Sequence, residues 1–245
     1  MKKFLMFICM MFLSLSLVGC NAKVASYEDY TIDKEIEVKE ALTLEQAQAK
    51  FEELEDASDD AKYLTCTLSM NVEGIVMDMT MIMINDANGI NGSIVTTTKY
   101  GGIDMSIEMY IKDNYILMDM GLAGGKMKVE IPSDEDLDTD DLSGLDLTEL
   151  ISGFFEEADK QSENFKAGFD AAGCLVLDYA EEDMKARFVF DKNYPVYFYA
   201  QEGANNTIEF KFSYEETEVV FPEDLNPEDY TTIPWDQFQG GSIIM

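Results

Sequence analysis

LTCTLSMNVEGIVMDMTMIM, residues 64–83, decides the fold. Leu64, Cys66, Leu68, Met70 and Val72 alternate with Thr65, Thr67, Ser69 and Asn71, the period of two that gives a β-strand one dry and one wet face. Glu73-Gly74 makes a tight turn, and the next strand sets Ile75, Met77, Met79, Met81 and Met83 on one face. Downstream, Asn85 to Gly89 turns the chain again into Ile90 to Tyr100, a polar, threonine-rich strand. Gly101-Gly102 leads into another, where Ile103, Met105, Ile107, Met109 and Ile111 alternate with Asp104, Ser106, Glu108 and Lys112. Asp113-Asn114 starts a further turn, followed by strands Tyr115 to Met120 and Lys126 to Ile131. Each link is too short for a parallel crossover, so the pattern predicts an antiparallel meander.

Pro132 to Asp141 (PSDEDLDTDD) breaks the alternation. Leu142 to Ala158 then reads as a helix with Leu147, Leu150, Ile151, Phe154 and Phe155 on one side. A second meander has strands Cys174 to Tyr179, Ala186 to Asp191, Val196 to Ala200 and Thr207 to Tyr214. Its turns are Asp191-Lys192-Asn193 and Gly203-Ala204-Asn205-Asn206, and the tail from Phe221 to Met245 reads as loop, with Trp235 near its end. Upstream, Thr43 opens a helix: Thr43 and Gln46 fit a capping box, and Leu44, Ala47, Phe51 and Leu54 recur at helical spacing. Glu45, Glu52, Glu53 and Glu55 face solvent, and the helix ends around Asp56 to Lys62. Asn21 to Ala41 has no helical stripe and reads as a tether of at most about 65 to 70 Å, at roughly 3.3 Å per residue; Glu35 to Val38 is an alternative short strand there. The order helix, strands, helix, strands predicts one α+β domain over 43–225, with 226–245 as tail. Roughly ten strands in a single antiparallel sheet curl strongly, and helices can cover the concave face of such an incomplete barrel.

The chain begins MKKFLMFICMMFLSLSLVGC. Lys2 and Lys3 followed by the apolar run Phe4 to Val18 have the layout of a secretory signal. The run falls short of the ~20 apolar residues of a spanning helix. Leu17-Val18-Gly19-Cys20 resembles the lipobox of bacterial lipoproteins. That resemblance implies removal of residues 1–19, a diacylglycerol on the Cys20 thiol, and a lipidated N-terminus and tether over 20–42. Cys9 lies in the apolar run without such a box. Each buried acyl CH₂ contributes about 0.8 kcal/mol, so two chains anchor stably where one does not. The implied location is the outer side of a membrane.

Charge and composition narrow the partners and the chemistry. With 17 basic and 49 acidic residues the chain carries a formal charge of −32. Such a surface repels nucleic acid and anionic headgroups, while 47% hydrophobic residues exclude disorder by composition. Beyond Cys9 and Cys20, only Cys66 and Cys174 remain. Either they pair, which an exported compartment permits, or they are two small buried hydrophobes. The chain has no histidine, so it lacks the commonest general base and metal ligand. No G-x-S-x-G elbow occurs, and carboxylates are too abundant to mark a site. The expectation is a non-catalytic protein with no cofactor and no metal. Asp136, Asp138 and Asp140 have calcium-loop spacing, but Asp141 stands where that loop needs Gly and Leu147 where it needs Glu.

Three features together resemble the lipoprotein-carrier superfamily, the LolA/LolB carriers and the LppX/LprG group. One is the amphipathic helix Thr43 to Asp56 running at once into YLTCTLSMNVEG; another is the methionine- and isoleucine-rich meander after it. The third is RFVFDKNYPVYFYAQEGANNTIEFKFSYEE followed by FPEDL. The resemblance spans roughly residues 43 to 225, and PSDEDLDTDD has no counterpart in its pattern. It implies a groove for a lipid or other hydrophobic ligand between curved sheet and helices. The wall would come from Leu68, Met70, Met77, Met79, Met81, Met105, Ile107 and Met109, and the lid from Phe51, Leu54, Phe154 and Phe155. By periodicity alone the same side chains describe a filled core more readily than a groove, and it is the resemblance that brings the groove level with it. In that case the protein is a surface-interaction domain, with an exposed apolar patch around Tyr197, Tyr199 and Trp235.

Overall fold

The computed structural model describes residues 24–55, 61–86, 89–121, 124–132, 155, 162–192 and 194–239. The lipobox and Cys20, residues 133–141 of the acidic stretch with its calcium-loop spacing, and the expected helix over 142–158 apart from Phe155, Phe154 included, lie outside the described residues. The side chain of Leu54 does too.

Among the described residues thirteen strands form one large, curved, open sheet. In chain order they are β1 (Glu40–Leu42), β2 (Tyr63–Val72), β3 (Ile75–Asp86), β4 (Gly89–Tyr100), β5 (Ile103–Lys112), β6 (Tyr115–Asp119), β7 (Lys126–Glu130), β8 (Phe165–Phe169), β9 (Leu175–Ala180), β10 (Met184–Asp191), β11 (Tyr194–Glu202), β12 (Asn206–Ser213) and β13 (Thr231–Ile233). Their spatial order is β1-β8-β9-β10-β11-β12-β2-β3-β4-β5-β6-β7-β13. Both meanders appear as the alternation predicts. They are joined edge to edge where β12 pairs antiparallel with β2, Phe210 opposite Leu68 and Phe212 opposite Cys66. The two-residue turns have the positive φ that twisted hairpins require: Glu73 and Gly74 at 52° and 83°, Asp113 and Asn114 at 52° and 63°.

Three strands were not legible. β1 and β8 form one margin, Ala41 opposite Gly168, and β13 forms the other by pairing parallel with β7. The tail is therefore partly strand, and it continues into the single helical turn α2 (Trp235–Gln239). α1 (Leu44–Glu55) is the one long helix among the described residues. Its capping box forms as expected, the Thr43 amide donating to Gln46 Oε1 at 2.9 Å and the Gln46 amide to Thr43 Oγ1 at 3.2 Å.

The two faces of the sheet differ. One carries the main core, running from Phe165 and Leu177 through Phe188, Phe198 and Phe210 to Leu68, Met79, Ile94 and Val129, with Ala47 and Phe51 of α1 packed on it. On the other face two segments lie as straps, one from Val24 to Ile36 and one from Phe221 to Tyr230. The N-terminal strap covers Val176, Val189, Val196 and Tyr197. The C-terminal one seats Tyr230, Phe221 and Leu225 against Tyr110 and Leu117. From Val24 onward the chain is thus held on the sheet, and a freely extended reach does not apply to that part of the expected tether.

Candidate functional site

Pairing in register builds the methionine face. Leu64, Cys66, Leu68 and Met70 stand opposite Met83, Met81, Met79 and Met77. These stand opposite Gly92, Ile94, Thr96 and Thr98 of β4, which stand opposite Ile111, Met109, Ile107 and Met105 of β5. Gly92 lies under the Met83 side chain: a Cβ there would meet Met83 Sδ at 2.4 Å and the Ile82 carbonyl oxygen at 3.3 Å, so the thioether would have to shift. The other half of the face is aromatic. Phe188 and Phe198 meet edge to face at 4.5 Å, Phe198 and Phe210 at 5.3 Å, and Phe51 of α1 sits 5.6 Å from Phe190 and 6.1 Å from Phe155. The aromatic half was absent from the expected wall, although its signal is plain in the alternation of RFVF, YFY and EFKF.

The expected wall and lid residues separate by depth. Leu68, Met70, Met77, Met79, Met81, Phe51 and Phe155 are buried together in one cluster. Met109 is half-buried against it and Ile107 is half-buried. Met105 is 41% exposed, and next to it at the β4–β5 turn Ile103 and Tyr100 are 61% and 59% exposed. The face therefore runs from closed core to open surface along β4 and β5.

Cys66 and Cys174 are both free. Cys66 belongs to the main core and Cys174 to the cluster on the opposite face, so the sheet itself separates them and the possible disulfide is excluded. Burial pushes the Cys66 thiol well above its ordinary value, which leaves it protonated and unreactive. Buried polar side chains among the described residues are Ser93 and Arg187. The arrangement offers apolar contact. Among the described residues no group of three Cys, Asp or Glu side chains is placed to hold a metal ion, and no helix is long and apolar enough to cross a membrane.

The apolar patch expected around Tyr197, Tyr199 and Trp235 is not exposed. Tyr197 is fully buried under the N-terminal strap, with Tyr199 packed beside it. Trp235 packs on the main core. The structure also shows a polar device that sequence reasoning missed. Arg187, 6% exposed, pairs bidentately with Asp178, Nε to Oδ1 at 2.6 Å and Nη2 to Oδ2 at 2.9 Å. Its Nη1 donates to the carbonyl oxygens of Tyr30, Thr31 and Lys34 at 3.3, 2.8 and 2.9 Å. Around it the Tyr30 hydroxyl donates to Asp170 Oδ2 at 2.7 Å, the Ile32 amide to the Tyr197 hydroxyl at 3.2 Å, and the Ala25 amide to Asp191 Oδ2 at 2.7 Å. One arginine among many charges has no sequence signature; only its position on an otherwise apolar strand, between Ala186 and Phe188, hinted at a partner.

At the C-terminal strap the contacts are cation–π. Lys112 lies 4.9 Å from the Phe221 ring and Lys126 5.4 Å from the Tyr230 ring. No protein-family model matches the chain, and no curated protein matches it.

Proposed function

We propose that this protein is a lipoprotein anchored through Cys20 on the extracytoplasmic side of a membrane, and that it holds a lipid or other hydrophobic ligand without covalent chemistry. In this reading the domain is α+β, its helices cover the concave face of the sheet, and the ligand lies between them, as the resemblance to the lipoprotein carriers implies. One observation carries the reading: along β5 an uncharged row runs from Met109, half-buried against the methionine rows, through Ile107 to the exposed Met105 and Ile103, with Thr96 and Thr98 beside it on β4. A row of neighbouring apolar side chains open to solvent is a surface on which a hydrophobic ligand can dock. Methionine suits the role because its unbranched thioether repacks around ligands of varied shape. The partners are the membrane, through the anchor, and the ligand; nucleic acid is disfavoured by the −32 charge.

The test uses protein beginning at Asn21, expressed in bacteria, purified without detergent and extracted with organic solvent for mass spectrometry. Lipid near one per protein, reduced by Met105→Glu while the fold is kept, supports the groove. Clean extracts from repeated preparations, with no uptake of added fluorescent fatty acid, reject it in favour of the surface-interaction reading. Loss of radiolabelled palmitate on Cys20→Ser tests the anchor separately.

A further inference from the structure

The C-terminal strap is a tandem repeat. Phe221-Pro222-Glu223-Asp224-Leu225 is followed at once by Asn226-Pro227-Glu228-Asp229-Tyr230, so Pro-Glu-Asp recurs with an apolar residue after it. Both copies fold alike. The Leu225 amide donates to the Pro222 carbonyl oxygen at 3.0 Å, and the Tyr230 amide to the Pro227 carbonyl oxygen at 3.3 Å. Each turn sends its two acids outward and its last residue inward: Glu223, Asp224, Glu228 and Asp229 are exposed, Leu225 is half-buried and Tyr230 buried.

Register builds the surface beneath it on the outer face of β5, β6 and β7. Tyr110 stands opposite Leu117, and Leu117 opposite Lys128. Lys112 stands opposite Tyr115 in the next row to one side, and Asp119 opposite Lys126 in the next row to the other. The Phe221 ring meets the Tyr110 ring at 6.1 Å, and Tyr230 packs with Tyr110 and Leu117. Three lysines surround these contacts. Lys112 lies over Phe221, Lys126 over Tyr230, and Lys128, its side chain 15% exposed, lies 3.7 Å from Glu228. A chain of 17 bases and 49 acids has few cations to place, and three stand here against a segment with four acids and no base.

The two straps are held by different means. Arg187 fixes the N-terminal one through three of its backbone carbonyls. Among the described residues, the C-terminal one closes its own backbone hydrogen bonds and holds to the sheet by apolar contact, cation–π contact and an ion pair. Its approach also has slack. Ser213, Thr65, Ile82, Ser93 and Tyr110 stand in one row across the sheet, about 19 Å from end to end. The eight residue steps from Ser213 to Phe221 reach at most about 28 Å. The strap can therefore lift while β12 stays paired.

We propose that this patch is a peptide-recognition surface, that the strap is its resident intramolecular ligand, and that an acidic segment of another protein, with bulky apolar residues spaced like Leu225 and Tyr230, displaces the strap to bind there. The patch lies on the face opposite the methionine core, so it stands apart from the ligand-holding function proposed above. Its partner is recognised by charge and by aromatic anchors, the pairing that the strap already makes with Lys112, Lys126 and Lys128. The tether keeps the strap at an effective concentration on the order of millimolar. A competing segment succeeds by binding the patch more tightly than the strap does.

The full chain and a fluorescein-labelled synthetic peptide of sequence FPEDLNPEDY, residues 221–230, test this by fluorescence anisotropy. Binding to the unaltered protein should strengthen about tenfold when Phe221→Ala and Tyr230→Ala loosen the protein's own strap. It should fall several-fold when Lys112→Glu and Lys128→Glu are added. A control peptide carrying Phe221→Ser, Leu225→Ser and Tyr230→Ser keeps every charge and should not bind. On the unaltered protein, excess peptide should speed amide exchange at Leu225 and Tyr230, whose amides close the two turns, and leave β2 and β3 unchanged. That measurement judges the proposal even where the loosened chain fails to fold. No gain in affinity from the loosened strap, equal binding of the control peptide, or strap exchange indifferent to the peptide overturns it.

Discussion

Replacing Arg187 with methionine should loosen the N-terminal strap while leaving the sheet folded. The guanidinium satisfies both oxygens of Asp178 and three backbone carbonyls of the strap. Removing one partner of a buried ion pair costs roughly 3–5 kcal/mol, mostly through the charge left without its counterpart. Here the Asp178 side chain is 27% exposed, so water hydrates part of the orphaned carboxylate and the low end applies. The carbonyls of Thr31 and Lys34 recover water as the strap lifts, which limits their share. The expected loss is about 3 kcal/mol, which a domain of ordinary stability, about 5–15 kcal/mol, survives. Urea unfolding gives the global figure. Amide exchange at Ala25 and Ile32, which donate to Asp191 and Tyr197, reports the strap alone and should accelerate more than exchange in β2 and β3. Adding Asp178→Asn should restore about 1 kcal/mol or more, since the stranded charge is then gone. A loss below about 1 kcal/mol with the Ile32 amide still protected would refute the claim that this arginine holds the strap.

Other positions give equally direct tests. In Gly168→Ala the new Cβ would lie 2.0 Å from the Glu40 carbonyl oxygen and 2.5 Å from Val38 Cγ1, at a φ of +153°. β1 must then leave β8, at a cost of about 2 kcal/mol, and the Lys39 amide, bonded to the Phe169 carbonyl, should lose its exchange protection; retained protection would contradict the close approach. Met79→Ala should cost about 2–5 kcal/mol by leaving a cavity, whereas Met105→Ala should stay within about 0.5 kcal/mol; similar values for both in urea melts would deny the difference in depth. Alkali should destabilise the fold from about pH 9 upward. Burial pushes Cys174 up to about 11 from 9.0 and Tyr110 up to about 12 from 10.0, and raises Tyr30, Tyr197 and Tyr214 further. These groups keep their protons in the folded state, so their stability is intact below the unfolded values. It is lost as pH climbs past them, by up to about 1.4 kcal/mol per pH unit for each group. Urea midpoints that hold steady to about pH 11 would contradict this.

The amino-acid sequence by itself determined the parts of this protein that are local. Alternation of period two placed both meanders, because successive side chains of a strand leave on opposite faces whatever lies beyond them. Thr43 and Gln46 announced the start of α1 because the capping box closes within four residues. The methionine face was legible as a face for the same reason. Its depth was not: Met79 and Met105 have equal standing in the alternation, yet one is buried and the other 41% exposed. Depth depends on what covers each end of a strand, and that is set by segments distant in sequence. The same limit hid β1, β8 and β13, short strands whose pairing comes entirely from partners elsewhere in the chain. It hid the separation of Cys66 from Cys174, which rests on which face of the sheet each residue meets. Arg187 is the clearest case. As a residue it is one of 17 bases, and only the folding of residues 30–34 against β10, more than 150 positions away, turns it into the clasp of the strap.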